Sequence, residues 1–570
     1  MKQVYFIFLL LCYLGVFGQE NITLNNTYPT NYFQNPLGIP SVLSGTFGEL
    51  RPNHFHAGLD LKTEQKEGLK VYASAQGYVS RIKISLWGYG KAIYITHPNG
   101  YTTVYAHLQK FNNRIEAYIK KQQYKIESFE IQVFPFANEL PITENEIIAY
   151  SGSTGGFVGP HLHFEIRNTE SEKPINPMLF GIEINDSKKP IINTLVGYSL
   201  NADSHINNIA VPTQLSIVNL KNGELLANKI RAFGKIGFGI NSYDQQDNSS
   251  NKNGLYSLSM FVNGEKVYNF NASSFSFDES KYINLLIDYE RLENLNQQVQ
   301  KCFIEPSNKL SLCTEYDSNG YITVEDGLTY TVEIIAEDFK GNTQKITIPI
   351  EGKKDSIIVV TTQKVTSYKI NYTQFNKFTI DGITVAFPKN TFYQDFYLDF
   401  EVNDSLVKVH SPIVPLDKKY TLTFDVSKYS NDEKKQLYIA SVNKNGKTNY
   451  ETTVKKDTTF YTSTKKLGNF TLLSDSKNPK VNLHNFKNEQ WLTNFETLKI
   501  KISDYESGIN TYRGEIDGEW ILLEYNVKNG ILTYNFSDKE FTTAKHQLKV
   551  FVTDNVGNTN SINATFFRKK

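Results

Sequence analysis

Short runs of β-branched and aromatic residues recur along this chain, each broken after a few positions by Asn, Gly or Asp. Runs of this length and make-up predict strands closed by turns rather than helices. In GPHLHFEIR (159–167), alternation sends Leu162 and Phe164 into a core and places His161 and His163 together on the other face. FTIDGITVAFPKN, FYLDFEVND, KKYTLTFDV and GNFTLLSD continue the same texture between about 355 and 474. The whole chain reads as all-β.

Internal repeats divide it. DSKKPIIN (186–193) returns as DSKNPKVN (475–482), and EDFKGNT (337–343) returns as TDNVGNT (553–559). Both pairs bracket strand-rich segments, which predicts two immunoglobulin-like sandwiches at 186–353 and 475–570 with cores of their own. The first carries an insertion, and 354–474 reads as a third sandwich. The D-x-x-G-N turns and DQQDNSSNKNG (244–254) have the residue types of a calcium loop, but turn chemistry accounts for them without an ion.

Residues 1–18 read as a signal peptide: one Lys, an apolar run from Val4 to Phe17, and Gly18 before the expected cut. The mature protein is then exported to the periplasm or cell envelope, or secreted, and no other stretch is apolar enough to span a membrane. With 60 basic and 59 acidic residues there is no bulk electrostatic case for nucleic acid or an anionic membrane. Outside the signal, Cys302 and Cys313 form an even pair around a turn, which points to a hairpin disulfide, the other reading being two buried thiols.

The chemistry collects in 19–185. Six of the ten histidines lie there: His54, His56, His97, His107, His161 and His163. In NHFHAGLDLKT (53–63), His56 at a strand entrance and Asp60 within the strand can converge on one ion. One imidazole of the H-x-H strand completes a His, Asp, His set. Three protein ligands leave a fourth position for water, the pattern of a catalytic rather than a structural zinc. H-E-x-x-H is absent, which excludes the helical zincin arrangement.

TFGELRPNHFHAGLDLKT, GLKVYASAQGYVSRIKISLWGYGKAIYITHPNGYTTVYAHLQKF and ENEIIAYSGSTGGFVGPHLHFEIR follow one another in order. Together, over about 35–170, they resemble the lysostaphin-type (LytM-like) zinc endopeptidases, which cut peptide cross-links of bacterial peptidoglycan. The resemblance implies an antiparallel β-sheet metallopeptidase domain, zinc ligands His56, Asp60 and His163, catalytic histidines His107 and His161, and peptidoglycan peptide stems as substrate. Some relatives have lost ligands and act as regulators, so the alternative is a non-hydrolytic envelope protein that binds wall peptides or activates another hydrolase. The intact five-residue set favours the enzyme. His54 is expected to be a non-ligand and His97 structural. One departure from the family is a long stretch between His107 and His161. Its NNRIEAYIKKQQYKIESFE reads as an amphipathic helix walling or covering the groove. Wall-binding modules are not recognisable, leaving the sandwiches as spacers or as docking domains for envelope partners.

Overall fold

The computed structural model describes residues 28–156, 159–358 and 364–569, so the expected signal peptide lies outside the described residues. As the alternation predicts, the chain is all-β. The N-terminal region is built on an antiparallel sheet of β1 (Leu43–Gly45), β2 (Leu59–Lys62), β3 (Gly77–Ile84), β4 (Lys91–Thr96), β5 (Tyr101–Ala106), β6 (Ile131–Val133) and β7 (His161–Asn168). Their order is β1-β2-β7-β5-β4-β3-β6, so β7 lies inside the sheet between β2 and β5. Both of its faces are covered, and Leu162, Phe164 and Ile166 are fully buried.

The amphipathic stretch after His107 is helical, as its periodicity predicts: α1 (Asn113–Ile126). Asn112 caps it by accepting from the Ile115 amide at 2.9 Å, while Ile115, Ile119 and Gln123 form its buried stripe.

Beyond residue 185 the strands form sandwiches. The first is organised by the 14-residue β8 (Ile230–Tyr243), which pairs with one set of strands before Gly234 and another after it. Gly234 has φ +76°, a conformation only glycine adopts without strain, and the strand changes sheets there. Its core is not its own. One apolar cluster runs from Phe33 to Ile350, because Phe47 and Phe55 of the N-terminal region pack on Phe275 with ring centroids 5.3 and 5.4 Å apart. Separate cores occupy 370–470 and 481–566.

The last sandwich folds back onto the N-terminal region. Lys91 pairs with Glu524 (2.7 Å), Lys120 with Asp538 (2.6 Å) and Arg513 with Glu127 (2.6 Å), and Tyr124 meets Trp520 edge to face. Helix α1 is therefore clasped between the two regions.

The expected hairpin disulfide is corrected here: Cys302 and Cys313 are both buried free thiols. They do not lie on one hairpin. Residues 300–301, just before Cys302, pair with β8, whereas Cys313 pairs with the strand 265–271 and its Sγ contacts Tyr268 Oη at 3.7 Å.

Candidate metal centre

Strand register brings the predicted residues together. His163 on β7 lies opposite Asp60 on β2 and, on the other side, opposite Ala106 of β5. His107 directly follows that alanine with φ +59°, a left-handed conformation that is strained for any residue with a Cβ. His161 shares the face of His163 by the two-residue period. His56 enters just ahead of β2. Two glycine-containing turns close the rim: a Cβ on Gly90 would lie 2.4 Å from the Thr154 carbonyl carbon, so a side chain there would push the loops apart.

His56, Asp60 and His163 each aim one ligand atom at a common point. Asp60 Oδ1 is 3.0 Å from His56 Nε2 and 2.9 Å from His163 Nδ1, and those two nitrogens are 3.0 Å apart. The outward nitrogens settle what faces inward. His56 Nδ1 donates to the Thr46 carbonyl (2.7 Å) and His163 Nε2 to Glu165 Oε1 (2.7 Å), so each ring turns its other nitrogen, a lone pair in the neutral form, towards Asp60. Two imidazole lone pairs and a carboxylate converging in a buried place call for a cation. Burial opposes charge on His163, yet the hydrogen bonds to Asp60 and Glu165 raise it to about 9. Burial would likewise raise Asp60, but His56 and His163 hold its carboxyl well below the usual range.

A second layer locks these groups. Arg51 Nη2 donates to Asp60 Oδ2 (2.6 Å), leaving Oδ1 to the histidines. Glu165 accepts from Arg167 Nε (2.6 Å) and from the Tyr89 hydroxyl, and the Tyr89 ring stacks on His163 at 5.2 Å. Arg51, Tyr89, Glu165 and Arg167 were missed from the sequence. Glu165 had a signal: it is two residues past His163 on a strand buried on both faces, where a carboxylate needs a partner.

His107 and His161 flank the triad, with ring centroids 4.7 Å apart. Each donates Nδ1 to a carbonyl, His107 to Thr154 (2.9 Å) and His161 to Gly159 (3.1 Å). His161 Nε2 lies 3.6 Å from Asp60 Oδ1. Burial lowers both, His107 to about 3. His97 stands elsewhere, donor and acceptor satisfied by the Gln76 carbonyl and Thr103 Oγ1 at 2.8 Å each, and His54 is exposed against the Pro52 carbonyl.

The site thus gathers four histidines and an aspartate at one place on an antiparallel sheet. Residues 54–124 match peptidase family M23, and the chain carries a domain of that family. Residues 367–475 match the Zu5-like domain. Over 123 residues the chain is 34% identical to the DD-carboxypeptidase/endopeptidase Mpg of Neisseria meningitidis serogroup B, covering 22% of each protein. Over 135 residues it is 31% identical to an uncharacterized metalloprotease of Haemophilus influenzae, covering 24% of this chain and 22% of the other. The chain thus spans about a fifth of the length of the curated relatives it matches. Among solved structures, the catalytic domain of lysostaphin from Staphylococcus simulans is 25% identical with a TM-score of 0.18, covering 24% of this chain and 90% of that one. None of the described helices is long and apolar enough to cross a membrane.

Proposed function

We propose that this chain is a zinc-dependent endopeptidase that hydrolyses peptide cross-links of bacterial peptidoglycan, acting after export to the cell envelope. The observation that carries the reading is the convergence of two imidazole lone pairs and Asp60 Oδ1, backed by Thr46, Glu165 and Arg51. A nitrogen-rich three-donor set suits zinc with an open position. The name of the Neisseria meningitidis relative, a DD-carboxypeptidase/endopeptidase, supports hydrolysis of a peptide bond.

His56, Asp60 and His163 would hold the ion, which when bound supplies Lewis-acid polarisation of a peptide carbonyl and acidifies water. His107 and His161 are the proton-handling pair. Their Nδ1 atoms are tied to carbonyls, so Nε2 is the atom that takes or returns a proton, and burial keeps both rings neutral near neutral pH, leaving a lone pair on each Nε2. Whichever is not the base can donate towards the oxyanion or the leaving amine. Arg51 orients the carboxylate and Glu165 the His163 ring. The sandwiches, divided at 186, 354 and 475, are proposed as spacers or docking domains, the first and last of them immunoglobulin-like.

Incubation with purified peptidoglycan, followed by mass spectrometry of the released fragments, tests the activity. New amino termini within cross-links are expected. A protein that binds zinc and wall peptides without cleaving them, but stimulates another hydrolase, would place the non-hydrolytic reading ahead.

A further inference from the structure

Outside the histidine site, the described residues hold two more clusters with three potential ligand atoms within 4.8 Å of one another, and both are purely aspartate: Asp186, Asp244 and Asp338, then Asp475, Asp504 and Asp554. They occupy matching places in the repeated segments. Asp186 opens DSKKP as Asp475 opens DSKNP, and Asp338 and Asp554 open the two D-x-x-G-N turns. Contacts match too. Asp338 accepts from the Lys340 and Asn342 amides and from Asn342 Nδ2 (2.8, 2.9 and 2.7 Å). Asp554 accepts from the Val556, Gly557 and Asn558 amides and from Asn558 Nδ2 at 2.7 Å. Turn chemistry explains these two residues without an ion.

It does not explain Asp244. This residue follows β8 directly, is only 3% exposed, and its buried Oδ1 accepts no hydrogen bond. The charges that bear on it are the carboxylates of Asp186 and Asp338; its side chain also accepts from the Gln245 amide and makes a hydrogen bond with the Asp186 carboxyl, so the unmatched atom is Oδ1. A buried, unmatched carboxylate oxygen beside two like charges is strongly unfavourable, and a bound cation removes the penalty. A cavity of about 30 Å³ adjoins all three aspartates, with Thr46, Tyr256 and Lys340 also lining it. That is room for one small occupant.

We propose that Asp186, Asp244 and Asp338 bind a calcium ion. An all-oxygen, anionic donor set suits a hard divalent cation, and the absence of imidazole or thiolate from the cluster disfavours zinc there. The ion would act on the seam between the N-terminal region and the first sandwich. Asp244 pairs with Asn253 through two backbone bonds (2.9 and 2.8 Å), closing the intervening loop. Gln246 Oε1 in that loop accepts from the Leu43 amide (2.8 Å), and the Gly254 amide donates to Thr46 Oγ1 (3.0 Å). Calcium therefore fastens the segment that carries Thr46, whose carbonyl holds His56.

The test titrates the full chain, zinc-loaded and calcium-free, with calcium chloride. Calorimetry should show saturable binding with Kd of about 0.1–1 mM. About 5 mM calcium should raise Tm by about 3 °C or more, and magnesium by less. Asp244→Asn should bind one calcium fewer and lose that increment. Its calcium-free Tm should equal or exceed the parent's, because the cost of burying that carboxyl, whether charged or protonated, is gone. Should the variant fail to fold, terbium luminescence of the parent, sensitised by Tyr256, displaced by calcium and diminished in Tyr256→Phe, carries the test. The proposal is overturned by a parent with no calcium-dependent heat and no Tm change. Unchanged calcium stoichiometry in Asp244→Asn, or terbium emission that calcium does not displace, overturns it equally.

Discussion

At the scale of single residues, the centre separates groups that would hold a metal from groups that would move protons. His107→Ala and His161→Ala are expected to retain zinc and lose about a hundred- to ten-thousand-fold in peptidoglycan cleavage. Zinc content and turnover measured on the same preparations check this, and zinc lost along with turnover would reassign the pair. Glu165→Gln keeps the shape but removes the carboxylate that His163 Nε2 donates to, so zinc affinity should fall about 10–100-fold in competition with a chelating dye. His97 tests burial without chemistry. Desolvation lowers it to about 4, below the unfolded value of 6.5. Between those values the unfolded chain binds the extra proton, so His97 contributes a stability loss as pH falls from about 6.5 to about 4, up to about 3 kcal/mol. In His97→Gln, the urea midpoint should depend less on pH inside that window, while turnover at neutral pH stays close to the parent's.

At the scale of elements, register does most of the assembly. A strand's two-residue period is enough to place His161 and His163 together, so that pairing was legible in nine residues. That His163 would meet Asp60 rather than some other residue depends on β2 and β7 being neighbours, a pairing across about a hundred positions. The helical period of 113–126 was equally legible, but its environment was not. The prediction of a helix walling the groove meets α1 held by Lys120–Asp538 and Tyr124–Trp520. The aspartate cluster was not legible in the sequence for a related reason: Asp186 and Asp338 cap ordinary turns, Asp244 directly follows a strand, and only folding puts the three within 4.8 Å. The acidic cluster has its own pH signature. Burial and its two aspartate neighbours raise Asp244 to about 8, so the folded state keeps a proton that the unfolded chain has lost above about 4. Without calcium, this group makes stability decline as pH rises from about 4 to about 8. Calcium should flatten that decline in thermal melts, since the ion replaces the proton.

At the scale of the whole molecule, cores decide what can be cut away. Truncation after Gly352 removes two sandwiches with separate cores and is expected to leave a soluble, zinc-binding protein. Truncation after Asn185 strips Phe275 and its neighbours from Phe47 and Phe55, and is expected to precipitate or bind a hydrophobic dye. Yield and dye fluorescence of the two fragments check this, and a soluble, dye-silent shorter fragment would show that the shared core is dispensable. Removing only 475–570 uncovers Lys91, which is 5% exposed beside Glu524, at the rim formed by Thr154. Lysine can then reach water, so that cut should cost less than leaving Lys91 buried and unpaired.

The resemblance of the ordered histidine motifs to a known family supplied the five site residues, whereas alternation of apolar and polar positions and the turn residues between runs were enough for an all-β chain, a helix after His107 and the shared face of His161 and His163. These last are local or periodic properties, set by neighbours a few positions apart. Tertiary structure alone decided the rest: the Arg51, Glu165 and Arg167 supports, the unbridged cysteines, the core shared across residue 185, and the aspartate clusters. Each depends on which strands become neighbours and which side chains lose water together. Those outcomes are governed by contacts between positions tens to hundreds of residues apart, on which no local period bears.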